Sequence, residues 1–212
     1  MFFIQNICKT NACIFLLVSF FLFWRIDNSC AQQNKILESK VKWKIELGPE
    51  FIWPSSNYQT IHTTSVNAFF WTNYFKKARL NLDLGITVTY AWGTSLDWYS
   101  STNKNLIYLK TAAFGGGPTI KFSQNIFDMN RFFISGTASA GAIFYNKQFP
   151  PGGDFYNFML RTGLDFGFKM DENITFKLCT KWMHVSNGKG SGPHNPYYEG
   201  YGLGVTITKY FY

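Results

Sequence analysis

Residues 181–200, KWMHVSNGKGSGPHNPYYEG, place a histidine, a serine and a glutamate around one loop rich in glycine and proline. A serine hydroxyl is a weak nucleophile until a base takes its proton, and a neutral imidazole within hydrogen-bond reach can be that base. A carboxylate can fix the imidazole tautomer and stabilise the imidazolium that forms. Ser186, His184 and Glu199 therefore have the residue types of a serine-hydrolase triad.

Amide groups in the same stretch are candidates for holding the oxyanion of a tetrahedral intermediate. They belong to Asn187, Gly188 and Asn195. An ordinary polar rim explains the same residues without chemistry, because asparagine is common in turns. Spacing alone leaves both interpretations open.

A metal site is a third interpretation of this stretch. It would use His184, His194 and Glu199, but their spacing matches no established zinc-ligand pattern. Serine-type hydrolysis needs neither a metal nor an organic cofactor, so we expect none.

The elements that must position these residues are strands, because apolar and polar residues alternate along the chain with a period of two. From Leu80 to Trp92 every even position is apolar or aromatic, and every odd position is polar or small. A soluble β-sandwich also alternates, but these runs reach the ~9–11 residues of a tilted transmembrane strand. Asp83, Arg161 and Asp165 lie opposite the apolar stripe, as in the polar interior of an outer-membrane barrel.

The pattern predicts an all-β fold, an eight-stranded antiparallel transmembrane β-barrel of the outer membrane. In the second and fourth expected strands, near 59–72 and 106–122, the apolar residues do not all fall on even or all on odd positions. The connection at residues 123–130 is long for a periplasmic turn. The longer connections fall on the outer side if the N-terminus starts in the periplasm. The expected strands lie near 41–53, 59–72, 78–92, 106–122, 131–146, 155–170, 173–186 and 197–211.

Parity also places the candidate triad. His184 and Ser186 share the parity of Phe176, Leu178 and Trp182, and Glu199 shares that of Tyr201 and Leu203. All three side chains should therefore point out of the barrel, toward lipid, near its outer rim. An antiparallel hairpin brings Glu199 beside His184.

The N-terminus has the outline of a secretory signal peptide. Lys9 precedes an apolar run from Ala12 to Trp24, and Ala31 stands at an expected cleavage position. We expect residues 1–31 to be a signal peptide and residues 32–212 to be a single barrel domain. Three of the four cysteines lie in the signal, so only Cys179 remains and no internal disulfide can form.

Composition bounds the partners of the mature chain. Aromatic residues make up 20% of the sequence and the net charge is +8, while the mean hydropathy is only −0.09. A basic exported protein meets an anionic membrane surface before it meets nucleic acid, so we expect a membrane-embedded chain and no nucleic-acid partner. The sequence leaves open a monomer or a homodimer.

The residues H-x-S-N at His184–Asn187, followed by Asn195-Pro196, Glu199 and an alternating last strand, resemble the lipid A 3-O-deacylase family, the PagL type, also called acyloxyacyl hydrolases. The motif similarity covers about residues 181–207. The resemblance implies an eight-stranded outer-membrane barrel with a triad facing the outer leaflet. The inserted sequence GKGSGPH departs from the small pair that commonly follows S-N in this family.

The activity implied by the resemblance is hydrolysis of the ester-linked acyl chain at the 3-position of lipid A, within lipopolysaccharide of the outer leaflet. Ser186 would be the nucleophile, His184 the base and Glu199 its acid partner, with Asn187 and Asn195 in the oxyanion hole. Three lysines in or beside the predicted outer loops are candidates for contacting the lipid A phosphates, and the alternative is that they are simply solvated: Lys104, Lys147 and Lys189. The rival classes are a non-enzymatic structural or adhesion barrel and a soluble lipocalin-like lipid carrier.

Overall fold

The chain forms a closed antiparallel barrel in which each strand pairs with its neighbours in sequence, and the last strand pairs with the first. A computed structural model describes residues 43–55, 59–75, 80–97, 101, 105–189 and 196–211. The predicted signal peptide at residues 1–31 lies outside these ranges. The strands are β1 (Trp43–Pro54), β2 (Gln59–Phe75), β3 (Leu80–Leu96), β4 (Tyr108–Met129), β5 (Phe132–Tyr145), β6 (Tyr156–Lys169), β7 (Ile174–Ser186) and β8 (Tyr198–Phe211).

The predicted fold class is confirmed, including the number and order of the strands. We call the end where β1, β3, β5 and β7 finish the loop rim, and the opposite end the turn rim. No helix in the described ranges is long and apolar enough to cross a membrane.

The expected long turn at residues 123–130 is wrong. β4 runs on to Met129, paired with Phe132 of β5, and the chain reverses at Asn130 and Arg131. Asn130 has a φ of 51°, a conformation that asparagine tolerates better than most residues. A register shift between Asn125 and Phe127 moves the outward face from even to odd positions. Because the alternation changes there, the sequence pattern does not predict the last residues of this strand.

The second strand shows the same effect. Its register shifts between Phe69 and Trp71, so Phe69 is buried inside while Trp71 pairs with the outward-facing Leu84. A bulge inserts one unpaired residue and reverses parity beyond it. Irregular parity in β2 is therefore the trace of a bulge in a continuous strand.

Large apolar side chains cover the outer wall, as a lipid-facing surface requires. Outward positions of β1 and β8 are typical, with Trp43, Leu47, Leu203 and Ile207 about half exposed. Near the loop rim the register pairs Trp182 with Tyr201, Tyr201 with Trp53, and His62 with Trp92, so aromatic side chains recur on five neighbouring strands. Such a row is typical of the girdle at a membrane interface.

The interior has two tiers. In the half toward the turn rim, buried Glu46 lies 3.1 Å from the Lys44 ammonium and 3.0 Å from that of Lys177, and it also pairs with Lys121. Lys44 in turn lies 2.6 Å from buried Asp83. Because each of these charges has opposite-charge partners, the tier avoids the large penalty of an isolated buried ion.

The half toward the loop rim is mainly apolar, which the sequence pattern does not predict. Its buried residues include Ile52, Ile61, Ile143, Met159, Met183 and Val185. Between the two tiers Arg161 lies 2.8 Å from Glu50 and donates to Asn67 at 2.7 Å. The loop rim, where the candidate triad lies, is therefore built on a packed core.

Candidate functional site

The candidate base and its acid partner meet across β7 and β8. His184 and Glu199 are register partners, and Nδ1 of His184 lies 2.7 Å from Oε1 of Glu199. In the neutral imidazole that donates its Nδ1 proton to the carboxylate, Nε2 carries the free lone pair. The pair is therefore arranged as a general base and the group that orients it.

Both residues lie on the outer wall, as parity predicts. Met183 and Val185, which flank His184, are each 1% exposed and belong to the apolar tier inside the barrel. The His184 side chain is 31% exposed and that of Glu199 is 20% exposed. The hydrogen bond is partly screened from water and still open to a molecule that approaches along the outer wall.

Ser186 follows His184 by two residues on the same face of β7 and pairs in register with Phe158 of β6. Positions i and i+2 of a strand are ~6.6–6.8 Å apart along its axis. Side chains at this spacing can reach each other, and Ser186 lies on the loop-rim side of His184. Among the described residues the hydrogen bond of the His184 ring goes to Glu199, and none joins it to Ser186.

Two aromatic rings enclose the imidazole, and sequence reasoning did not single them out. The ring of Tyr197 stacks on His184 with centroids 5.5 Å apart and planes 24° apart. The ring of Trp182 stacks with centroids 6.2 Å apart and planes 28° apart. The spacing could have indicated both rings, because Trp182 precedes His184 by two residues and Tyr197 precedes Glu199 by two, which places them on the same face of their strands.

Asn187, a predicted oxyanion-hole residue, is 2% exposed. Its side-chain amide donates to Oδ2 of Asp154 at 2.8 Å, and its Oδ1 accepts the backbone N–H of Lys189 at 3.1 Å. This asparagine ties the chain after Ser186 to the loop between β5 and β6. A role in oxyanion binding stays a prediction.

Of the other two predicted oxyanion-hole residues, the structure describes Gly188 and not Asn195. Gly188 is exposed and has a φ of 76°, a left-handed conformation that glycine adopts without strain. A Cβ at this position would lie 3.2 Å from the ring of Phe158. Asn195 lies outside the described residues.

The loop that supplies Asp154 is held down on the mouth of the barrel. Phe149 is fully buried, with its ring centroid 4.9 Å from that of Tyr145 and 5.8 Å from that of Tyr198. The hydroxyl groups of Tyr145 and Tyr198 share a short hydrogen bond. Asn157 donates to the Phe149 carbonyl oxygen at 2.8 Å. Asp154 therefore comes from an anchored loop, and sequence reasoning missed it because its partners lie about 33 residues away.

The predicted phosphate-contacting lysines occupy different settings. Lys147 is exposed, whereas Nζ of Lys189 lies 2.8 Å from Oδ2 of Asp154. Lys104 lies outside the described residues, as does His194 of the alternative metal site. Within the described part of the chain, no group of three His, Cys, Asp or Glu side chains is placed to hold a metal ion.

Comparisons with known proteins support the fold. No protein-family model matches the sequence, and no curated protein matches it either. Among solved structures, the chain is similar to "Crystal structure of the outer membrane enzyme PagL", with a TM-score of 0.53. The two sequences are 13% identical, and the match covers 76% of this chain and 97% of that chain. At this identity the likeness shows the barrel fold, and the chemistry depends on the residues described above.

Proposed function

We propose that this protein is an outer-membrane serine esterase that hydrolyses the ester-linked acyl chain at the 3-position of lipid A. The observation that carries the proposal is the 2.7 Å contact between His184 and Glu199 on the outward wall, with Ser186 next on the same face of β7. The H-x-S-N motif and the similarity to an outer-membrane enzyme support it. Export by cleavage after Ala31 belongs to the same proposal.

In the first half of the reaction, Oγ of Ser186 attacks the ester carbonyl carbon while its proton passes to Nε2 of His184. The Glu199 carboxylate stabilises the imidazolium through Nδ1. The tetrahedral intermediate collapses as the bond to the sugar oxygen breaks, and that oxygen leaves with the proton from Nε2. The acyl chain is now esterified to Ser186.

In the second half, a water molecule attacks the acyl-enzyme carbonyl and gives its proton to His184. Collapse releases the free fatty acid, and the proton returns to Oγ of Ser186. Amide groups of the 187–195 segment are the candidates for stabilising the oxyanion in both halves.

A site on the outer wall suits a substrate that is itself part of the membrane. Lipid A lies in the outer leaflet, so its ester can reach Ser186 by lateral movement along the barrel surface. Among the described residues, Ile52, Ile143 and Val185 belong to the cluster that fills the barrel interior in the half nearest the site. We therefore expect the substrate to approach from outside.

The test is Ser186→Ala, with lipid A from a host strain analysed by mass spectrometry. We expect wild-type protein to yield lipid A that has lost one ester-linked acyl chain, and the variant to yield unmodified lipid A. Thr180→Ala is the matched control, since it removes a hydroxyl from the same face of β7 closer to the turn rim. Unmodified lipid A with the folded wild-type protein would favour a non-enzymatic barrel instead.

A further inference from the structure

The His184 imidazole is stacked between two rings that the proposed reaction has not used. Tyr197 lies on one side at 5.5 Å and Trp182 on β7 lies at 6.2 Å, both within 28° of parallel to it. The Glu199 hydrogen bond fixes one point of the ring. The Cβ–Cγ bond and this hydrogen bond leave the tilt of the ring plane the least restricted, and the stacked faces limit that tilt.

The aromatic faces also respond to charge. The face of a tyrosine or tryptophan ring is electronegative and attracts a cation placed over it within about 6 Å of the centroid. Neutral imidazole gains little from this attraction, while the imidazolium that forms as Ser186 loses its proton gains more. An interaction that strengthens as charge develops lowers the activation barrier and leaves substrate binding unchanged.

We propose that Tyr197 and Trp182 are positioning residues that hold the His184 ring in place, and that Tyr197, whose centroid lies 5.5 Å away, also stabilises the protonated ring through its π-face. This inference rests on the proposed esterase function, because it assigns the two rings a part in that reaction. Tyr197 has the larger effect, since its centroid lies closer to the imidazole.

The experiment compares Tyr197→Phe, which keeps the aromatic face, with Tyr197→Leu, which keeps only apolar bulk. Two readouts are measured on detergent-solubilised protein: kcat and KM for lipid A, and the rate at which a fluorophosphonate ester labels Ser186. We expect Tyr197→Leu to lower kcat and the labelling rate by about threefold to tenfold with KM unchanged, and Tyr197→Phe to retain most of the activity. Trp182→Phe and Trp182→Leu should show the same order with smaller losses.

Tyr201→Leu is the matched control, because Tyr201 is an exposed aromatic residue on the outer face of β8, two residues beyond Glu199. It should leave kcat unchanged. Folding of each variant is checked by the mobility of unheated protein on a detergent gel. If wild-type protein is labelled and Tyr197→Leu is labelled equally fast, the positioning role is refuted while the esterase stands. If folded wild-type protein neither reacts with the probe nor cleaves lipid A, the esterase proposal fails and the role of the rings fails with it.

Discussion

The hydrogen bond between His184 and Glu199 makes a quantitative prediction about Glu199→Gln. The glutamine keeps the shape of the side chain and removes its negative charge, so it tests the charge at a fixed geometry. In the wild type the carboxylate oxygen lies 2.7 Å from Nδ1. Removing the charge leaves the imidazolium of the transition state without its counter-ion.

Coulomb's law sets the size of the effect. Charge centres about 4 Å apart attract by about 4 kcal/mol at an effective dielectric constant of about 20. The side chains are 31% and 20% exposed, so solvent screening reduces this to about 2–3 kcal/mol. The corresponding loss in kcat is about 30- to 150-fold. A glutamine that turns its NH2 group toward Nδ1 would impose the wrong tautomer, which costs about 10,000-fold in a serine protease.

The assay measures fatty acid released from lipid A by purified protein in detergent, with kcat and KM determined separately. Glu172→Gln is the control, because it makes the same charge change in the turn between β6 and β7 at the opposite rim. Adding Glu199→Gln to Ser186→Ala should cost nothing further, since triad members act as a unit. A loss below about threefold from Glu199→Gln, with Ser186→Ala inactive, would refute the role given to the carboxylate.

Three further predictions concern the scaffold. Asp154→Ala removes the acceptor of the Asn187 amide and the ion-pair partner of Lys189. We expect a cost of about 1–3 kcal/mol, seen as faster proteolysis after β7, and Asp154→Asn should lose less. Glu46→Ala leaves three lysines of the charged interior tier without their shared carboxylate. It should lower the free energy of unfolding, measured in urea, by about 3–5 kcal/mol, whereas a loss below about 1 kcal/mol would show that the tier is hydrated. In intact cells a membrane-impermeant thiol reagent should label Lys147→Cys at the loop rim and spare Asn130→Cys at the turn rim, and the reverse pattern would invert the proposed orientation.

Most of the barrel could be predicted because a strand with one lipid-facing side has a strict period of two. Strands β3, β6 and β7 follow that period throughout, and their ends lie within about four residues of expectation. The failures share one physical cause. A bulge reverses parity, so the register shifts in β2 and β4 made continuous strands look irregular and turned the end of β4 into an apparent loop.

The candidate site also has one part that the sequence predicts and one part that it does not. The meeting of His184 with Glu199 follows from strand pairing and one hairpin, both of which are local in sequence. The contact between Asp154 and Asn187 depends on how the β5–β6 loop folds over the barrel mouth, and no sequence period records that. Parity could have placed Tyr197 on the outer wall beside Glu199. Its sequence position alone does not distinguish a ring that stacks on His184 from the other aromatic residues of a membrane-interface girdle.

The two faces of the strands near the loop rim have complementary roles. On β7 the candidate site residues His184 and Ser186 alternate with the buried Met183 and Val185, and on β8 Glu199 follows the buried Tyr198. A slip of one residue in the pairing of β7 with β8 would place the apolar side chains in lipid and the triad inside the core. Packing in the outer half of the interior therefore determines the register that brings His184 opposite Glu199. The apolar tier lies directly behind the site and maintains the strand pairing from inside, while Tyr197 and Trp182 pack against the imidazole on the outer wall.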